Sequence, residues 1–163
     1  MDEKIENQII EGEKMENNMD FFGQIEEHFG KSRRSPEQYS ALGLAYIGDA
    51  VYDIIIRTII VDLGNKKVSQ FHRMTSSIVK AESQAKLMKT IMEDLTEEEE
   101  TIFRHGRNAK SPTSAKNASI VDYRVATGFE ALVGYLYLQH KTERALELIE
   151  KGLKKTKQLP ESD

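Results

Sequence analysis

The chain contains no cysteine, which excludes disulfides, thiolate metal ligands and a thiol nucleophile, and fits a protein kept in the cytoplasm. It also has no long uncharged apolar run. The most hydrophobic stretch, residues 42–61, is interrupted by Asp49, Asp53 and Arg57 and fails the roughly 20-residue criterion for a membrane span. No apolar segment follows Met1, Asp2, Glu3 and Lys4, so no secretory signal is expected. No run alternates apolar and polar residues as a half-buried strand would, and no internal repeat is present. The expected fold class is therefore all-α. His28, His72, His105 and His140 show no metal-ligand spacing and read as ordinary surface or interface positions.

An excess of positive charge is lacking too, since the net charge is −4, yet the acids and bases are unevenly spread. Residues 1–34 hold nine acids and five bases, whereas residues 35–163 hold eighteen of each. Within that neutral body the segment from Thr101 to Val121 carries Arg104, Arg107, Lys110 and Lys116 and no acid. A local cationic strip is thus embedded in a chain whose total charge hides it.

The 163 residues suffice for one domain and a tail. Residues 1–34, with weak helical spacing from Met15 to Phe29, are expected to form a loosely ordered extension. Residues 35–157 are expected to form the folded domain, and 158–163 a C-terminal tail. Ser35, Pro36 and Gln38 supply an N-cap, a proline at the first helical position and a capping box, so a long central helix is predicted from there to Gly64. Ser69 is the expected cap of a short helix over 70–78, followed by a helix from Val79 to Asp94. Thr96 and Glu99 form a second capping box, for a helix reaching Gly106 with a solvated acidic start at Glu97 to Glu100. A loop over 107–119, containing Pro112, precedes two final helices over 121–139 and 142–157.

Asp49 stands in an apolar helix, where an ionised carboxylate is costly unless a cation or several donors meet it. Ala45, Gly48 and Ala50 leave space beside it for a metal, water and a phosphate, and Asp53 lies one turn on along the same face. The alternatives are a buried arginine partner or a helix face open to solvent. Glu130 repeats the pattern in a second apolar helix, among Phe129, Leu132, Val133 and Leu136. Two lone acids on two core helices point to one oxygen-rich site for a hard divalent cation, and each could equally be a buried acid satisfied by arginine or backbone. Arg104, Arg107, Asn108 and Lys110, at a helix end running into a loop, suit phosphate and sugar contacts, though basic residues also simply favour a helix C-terminus.

Taken together, LAYIGDAVY (44–52), VKAESQA (79–85), TEEEETIFRHGRNAKS (96–111), PTSAKN (112–117) and YRVATGFEALVGYLYL (123–138) resemble the ribonuclease III superfamily, most closely the bacterial Mini-ribonuclease III family. The resemblance runs from Tyr39 to Leu153. It implies a helical endonuclease domain, homodimeric and without a double-stranded-RNA-binding domain, that cuts double-stranded RNA in the cytoplasm with Mg²⁺, for which Mn²⁺ can substitute. It implies a role in maturing the ends of large-subunit (23S) ribosomal RNA precursor, with a ribosomal protein as a further partner.

Carried over position by position, the resemblance makes Asp49 and Glu130 the catalytic and metal-binding residues. It makes Asp53 and Thr127 candidates for an outer shell, and Arg104, Arg107, Asn108, Lys110 and Lys116 the RNA contacts. Two carboxylates of full-length ribonuclease III are missing, their places taken by Ala45 and Thr127. The Mini-ribonuclease III pattern shares that reduction. The competing reading is a catalytically inactive RNA-binding or ribosome-associated module of the same fold.

Overall fold

A computed structural model describes residues 19–110 and 119–161. The chain divides into two compact units, Met1–Arg33 and Arg34–Asp163. The first contains helix α1 (Phe21–Phe29), started by Asp20, whose carboxylate accepts from the Gly23 amide at 2.7 Å, and ended at Gly30. The second contains helices α2 (Ala41–Asp62), α3 (Val68–Val79), α4 (Ala81–Ile91), α5 (Glu97–Asn108), α6 (Ile120–Leu138) and α7 (Thr142–Thr156). Short 3₁₀ turns occupy Pro36–Gln38 and Met92–Asp94. Every element among the described residues is helical, as the absence of strand patterning implied. No helix there is long and apolar enough to cross a membrane.

Several helix ends differ from expectation. The Ser35 capping box starts only the Pro36–Gln38 turn. Tyr39 is extended, and the cap of α2 lies five residues after Ser35, at Ser40, whose hydroxyl accepts from the Gly43 amide at 3.0 Å. Helix α2 ends at Asp62, close to the predicted stop, and the chain turns at Gly64 with φ +118°, a conformation that glycine adopts without penalty. Helix α3 begins one residue before Ser69, which is therefore inside it; the Gln70 side chain instead accepts from the Lys67 amide at 3.2 Å. Lys80 is extended and separates α3 from α4. Helix α5 follows its Thr96 capping box as predicted but continues past Gly106, so Arg107 and Asn108 are helical. The predicted 107–119 loop is thus shortened at its N-terminal side to residues 109–119, most of which lie outside the described residues.

Helix α6 is the centre of the second unit and packs against α2, α5 and α4, while α7 lies chiefly on α4. Between Ala126 and Tyr137 every residue except Glu130 is buried. Its neighbours contribute Ile56 and Ile60 from α2, Leu87, Met88 and Ile91 from α4, and Phe103 from α5 to the core. Each fully buried side chain of this size contributes about 2 kcal/mol of transfer free energy. Polar ties close the edges. Tyr135 donates its hydroxyl proton to Glu98, its oxygen lies 3.1 Å from Oε1 of Glu37, and Gln139 Nε2 donates to it at 2.9 Å. The 3₁₀ turn before α2 is thereby fastened to α5 and α6.

Glu99 departs from the expected solvated helix start. It is 5% exposed and holds the Arg144 guanidinium through Nε at 3.0 Å and Nη2 at 2.9 Å, while Nη2 also reaches the Asp94 carbonyl at 2.8 Å. Its other role is in the capping box, accepting from the Thr96 amide at 2.9 Å. Burial alone pushes the Glu99 pKa up, but the Arg144 and Thr96 hydrogen bonds outweigh it and hold the group below the usual carboxylate range. A lowered folded-state pKa means that this stabilisation is complete above the unfolded value and is lost as pH falls through the folded one. Removing one partner strands a buried charge, so Arg144→Ala is expected to lower stability by about 3 kcal/mol in urea titration at pH 7. Its deficit should narrow in acid as Glu99 protonates.

Candidate active site

Helices α2 and α6 cross antiparallel in direct backbone contact. A Cβ built on Gly48 would overlap the Glu130 carbonyl and stand 2.8 Å from the Gly134 amide nitrogen. One built on Gly134 would overlap the Leu44 carbonyl and stand 3.0 Å from the Gly48 nitrogen. One turn further along, Tyr52 meets Phe129 edge-on, with ring centroids 4.9 Å apart. The space beside Asp49 that the small residues were expected to leave for a ligand is, at Gly48, filled by α6. Ala45 is likewise enclosed, packing with Leu44, Ala131 and Tyr135. A carboxylate at that position would be pressed into an apolar contact.

This crossing places Asp49, the residue after Gly48, against Glu130. Asp49 is exposed, not buried as its apolar neighbours implied, and Glu130 is half-buried. Helix α2 is open around Asp49 although large apolar residues are exposed on it, among them Tyr46 at 83% and Ile54 at 58% exposure. The Glu130 pKa is raised to about 8, first by burial, then by the Asp49 charge and by a hydrogen bond with its carboxyl. Two carboxyl groups this close cannot both ionise cheaply without a proton or a cation to share. Hard divalent cations such as Mg²⁺ prefer one or two carboxylates completed by water and phosphate oxygens, so the donor pair fits such an ion. No group of three or more acidic or histidine ligands is gathered among the described residues, which excludes a protein-only cage there.

The other sequence-predicted residues are placed less uniformly. Asp53 is half-buried and accepts from Arg57 Nε at 2.7 Å, and the buried Thr127 donates its hydroxyl to the Tyr123 carbonyl at 3.0 Å. Arg104, Asn108 and Lys110 are exposed. The Arg107 guanidinium sits 5.7 Å from the Phe103 ring centre, and its Nε donates to Asn108 Oδ1 at 3.3 Å. Lys116 lies outside the described residues. The basic end of α5 is brought to α6 by a second close contact, in which a Cβ on Gly106 would stand 2.9 Å from Gly128 Cα and 3.1 Å from the Thr127 carbonyl. Phe103 fills the same contact from the other side, its ring 2.7 Å from where a Gly128 Cβ would be. Sequence reasoning missed both glycine contacts; their signal was the spacing of Gly128 and Gly134, on either side of Glu130 in an otherwise bulky helix.

Because the Glu130 pKa is raised from 4.5 to about 8, the folded metal-free protein binds more protons than the unfolded chain between those values. Its contribution to stability is therefore complete below the unfolded pKa and falls as pH rises towards 8. With divalent ions chelated, Glu130→Gln is expected to melt above wild type by about 3–6 °C at pH 9 and to lose that advantage by pH 5. Scanning calorimetry across the range would refute the account if the two proteins kept a constant difference.

Comparison with known proteins identifies the family. The Ribonuclease III domain family matches residues 42–141, which span α2 through α6. The Mini-ribonuclease 3 of Enterococcus faecalis is 52% identical over 124 residues, covering 75% of this chain and 94% of the relative. That of Clostridium tetani is 49% identical over 119 residues, covering 72% and 79%. A crystal structure of a protein from Fusobacterium nucleatum superposes with a TM-score of 0.68 at 29% identity, covering 76% of this chain and 98% of that one. The chain belongs to the ribonuclease III family and is an endoribonuclease acting on double-stranded RNA, most similar to the Mini-ribonuclease 3 group.

Proposed function

We propose that this endoribonuclease hydrolyses phosphodiester bonds with Mg²⁺ held by Asp49 and Glu130, Mn²⁺ being an acceptable substitute, and that its substrate is the duplex stem of large-subunit (23S) ribosomal RNA precursor in the cytoplasm. The observation that carries the metal assignment is the approach of the two carboxyl groups at the α2–α6 crossing. Magnesium bound there supplies an activated water and neutralises charge on the leaving oxygen. Glu130 must lose its proton to serve, so occupancy of the site should strengthen as pH rises towards 8. Asp53, fixed by Arg57, and Thr127 are available for water-mediated contacts. Their hydrogen bonds leave them positioning roles and keep them out of the direct ligand set. The ribosomal RNA assignment and a ribosomal protein partner rest on the family resemblance.

Arg104, Arg107, Asn108, Lys110 and Lys116 supply the RNA contacts in this reading. The Phe103 ring lies under Arg107, 5.7 Å from its guanidinium carbon, a cation–π contact that supports the side chain for phosphate or sugar binding. Recognition by such residues is of duplex shape, through phosphates and 2′-hydroxyls. A homodimer is the form we propose in solution, since two equivalent centres can address the two strands. Leu42, Tyr46, Ile54 and Val61 on α2 are exposed and supply apolar surface for it. Val61 also lines a cleft of about 190 Å³ with Arg57, Ile60, Val68, Phe71 and His72.

Loss of either carboxylate should remove several kcal/mol of transition-state stabilisation, so Asp49→Asn and Glu130→Gln are each expected to slow duplex cleavage about a thousandfold or more. Wild-type rates from folded, dimeric variants would defeat the assignment. Lys110→Ala should weaken duplex binding regardless of sequence and lower the salt slope by about one. Mapping the ends made from ribosomal RNA precursor tests the pathway separately: cleavage of other duplexes but not of this one would leave the enzyme class standing and remove the proposed substrate.

A further inference from the structure

We propose that Gly48 and Gly134 are positioning residues for the metal-binding pair: by allowing α2 and α6 to touch through their backbones, they set the separation of the Asp49 and Glu130 carboxylates. The inference rests on the reading of those two acids as the metal site. Its basis is the identity of the touching atoms. Gly48 precedes Asp49 in the chain, and the atom its Cβ would strike is the carbonyl oxygen of Glu130 itself. Gly134, one turn after Glu130, is closed on by the Leu44 carbonyl, one turn before Gly48. The two carboxylate-bearing residues are thus pinned by contacts on their own or adjacent peptide units, with no flexible side chain between that could absorb a change.

Ordinary helix pairs stand about 8–10 Å apart because side chains intervene. A methyl group at either glycine would have to be met by backbone, which cannot yield as a side-chain tip does, so the helices must separate or slide. Asp49 has a short side chain, so a wider crossing would have to be made up almost entirely by Glu130, which is itself half-buried among core residues. Misplacement by about 1 Å at a reacting centre can reduce rate about a hundredfold.

The fold supplies its own control. The contact of Gly106 on α5 with Gly128 and Thr127 on α6 is also close, though less so than the α2–α6 crossing, with Ala131 Cβ 2.7 Å from a Gly106 Cβ, and α5 carries neither metal ligand. It carries Arg104, Arg107 and Asn108. Widening the α2–α6 crossing should therefore weaken metal binding, while widening the α5–α6 crossing should weaken RNA binding, although both substitutions damage packing.

The experiment compares Gly134→Ala and Gly106→Ala by Mn²⁺ titration followed by electron paramagnetic resonance, by the Mg²⁺ dependence of melting temperature, and by cleavage kinetics at varied Mg²⁺ and duplex. Expected for Gly134→Ala is an increase of about tenfold or more in the Mn²⁺ dissociation constant and in half-saturating Mg²⁺, with KM for duplex at saturating Mg²⁺ little changed. Expected for Gly106→Ala is the opposite split. Should Gly134→Ala fail to fold, Ala45→Val places a milder wedge in the same interface, against Ala131 and Tyr135, and should shift metal binding in the same direction. Folded Gly134→Ala or Ala45→Val protein with wild-type metal affinity overturns the proposal, as do equal metal shifts in Gly134→Ala and Gly106→Ala. Unchanged Mn²⁺ binding in Glu130→Gln would overturn the underlying site assignment instead, which separates the two failures.

Discussion

Direct contact between the backbones of α2 and α6 is the constraint on which the rest of the catalytic unit depends. Two glycines remove the layer of side chains that normally separates packed helices, and the two acids beside them are brought face to face as a consequence. Helix α5 then closes on the same stretch of α6 through Gly106 and Gly128, carrying its basic end with it. In the proposed reading, the metal-binding pair and the RNA contacts are thereby mounted on neighbouring faces of one helix, with Ala131 touching both α2 and α5. The clasp between Arg144 and Glu99 secures the start of α5 from the far end, so the helix bearing the RNA contacts is fixed at both termini.

Like charges in contact are a source of instability that the fold retains. Buried apolar residues surround Glu130, and no described lysine or arginine neutralises it; its partner is another acid. A protein selected for stability alone would place a neutral side chain there. The electrostatic strain is relieved by a proton, and in the proposed reading by a doubly charged ion, which would convert an unfavourable contact into an affinity for that ion.

Much of this was legible in the sequence, for identifiable reasons. The lack of strand alternation gave the helical class, and the Thr96 capping box marked the start of α5. Asp49 and Glu130 stood out because isolated acids in apolar helices need an explanation. The burial of Asp49 was misjudged because Tyr46, Ile54 and Val61 look in sequence like core residues, whereas they occupy an exposed face of α2. Ser35 and Ser40 both carry capping chemistry, and only the extended backbone of Tyr39 decides which of them starts the long helix. Glu99 could not be told from its three acidic neighbours, since its partner lies 45 residues away. Gly48 announced that space was needed without saying whether a ligand or a helix would fill it.

Helix α6 is enclosed from Ala126 to Tyr137 except at Glu130, so the proposed active centre amounts to a single window in an otherwise sealed wall. Residues framing that window serve core packing and chemistry at once, and few of them can change without disturbing both. The exposed end of α5 is under no such double obligation. Divergence among related enzymes should then collect in how the duplex is gripped, while the cutting apparatus stays nearly immobile, making substrate preference the readily evolvable property of this architecture.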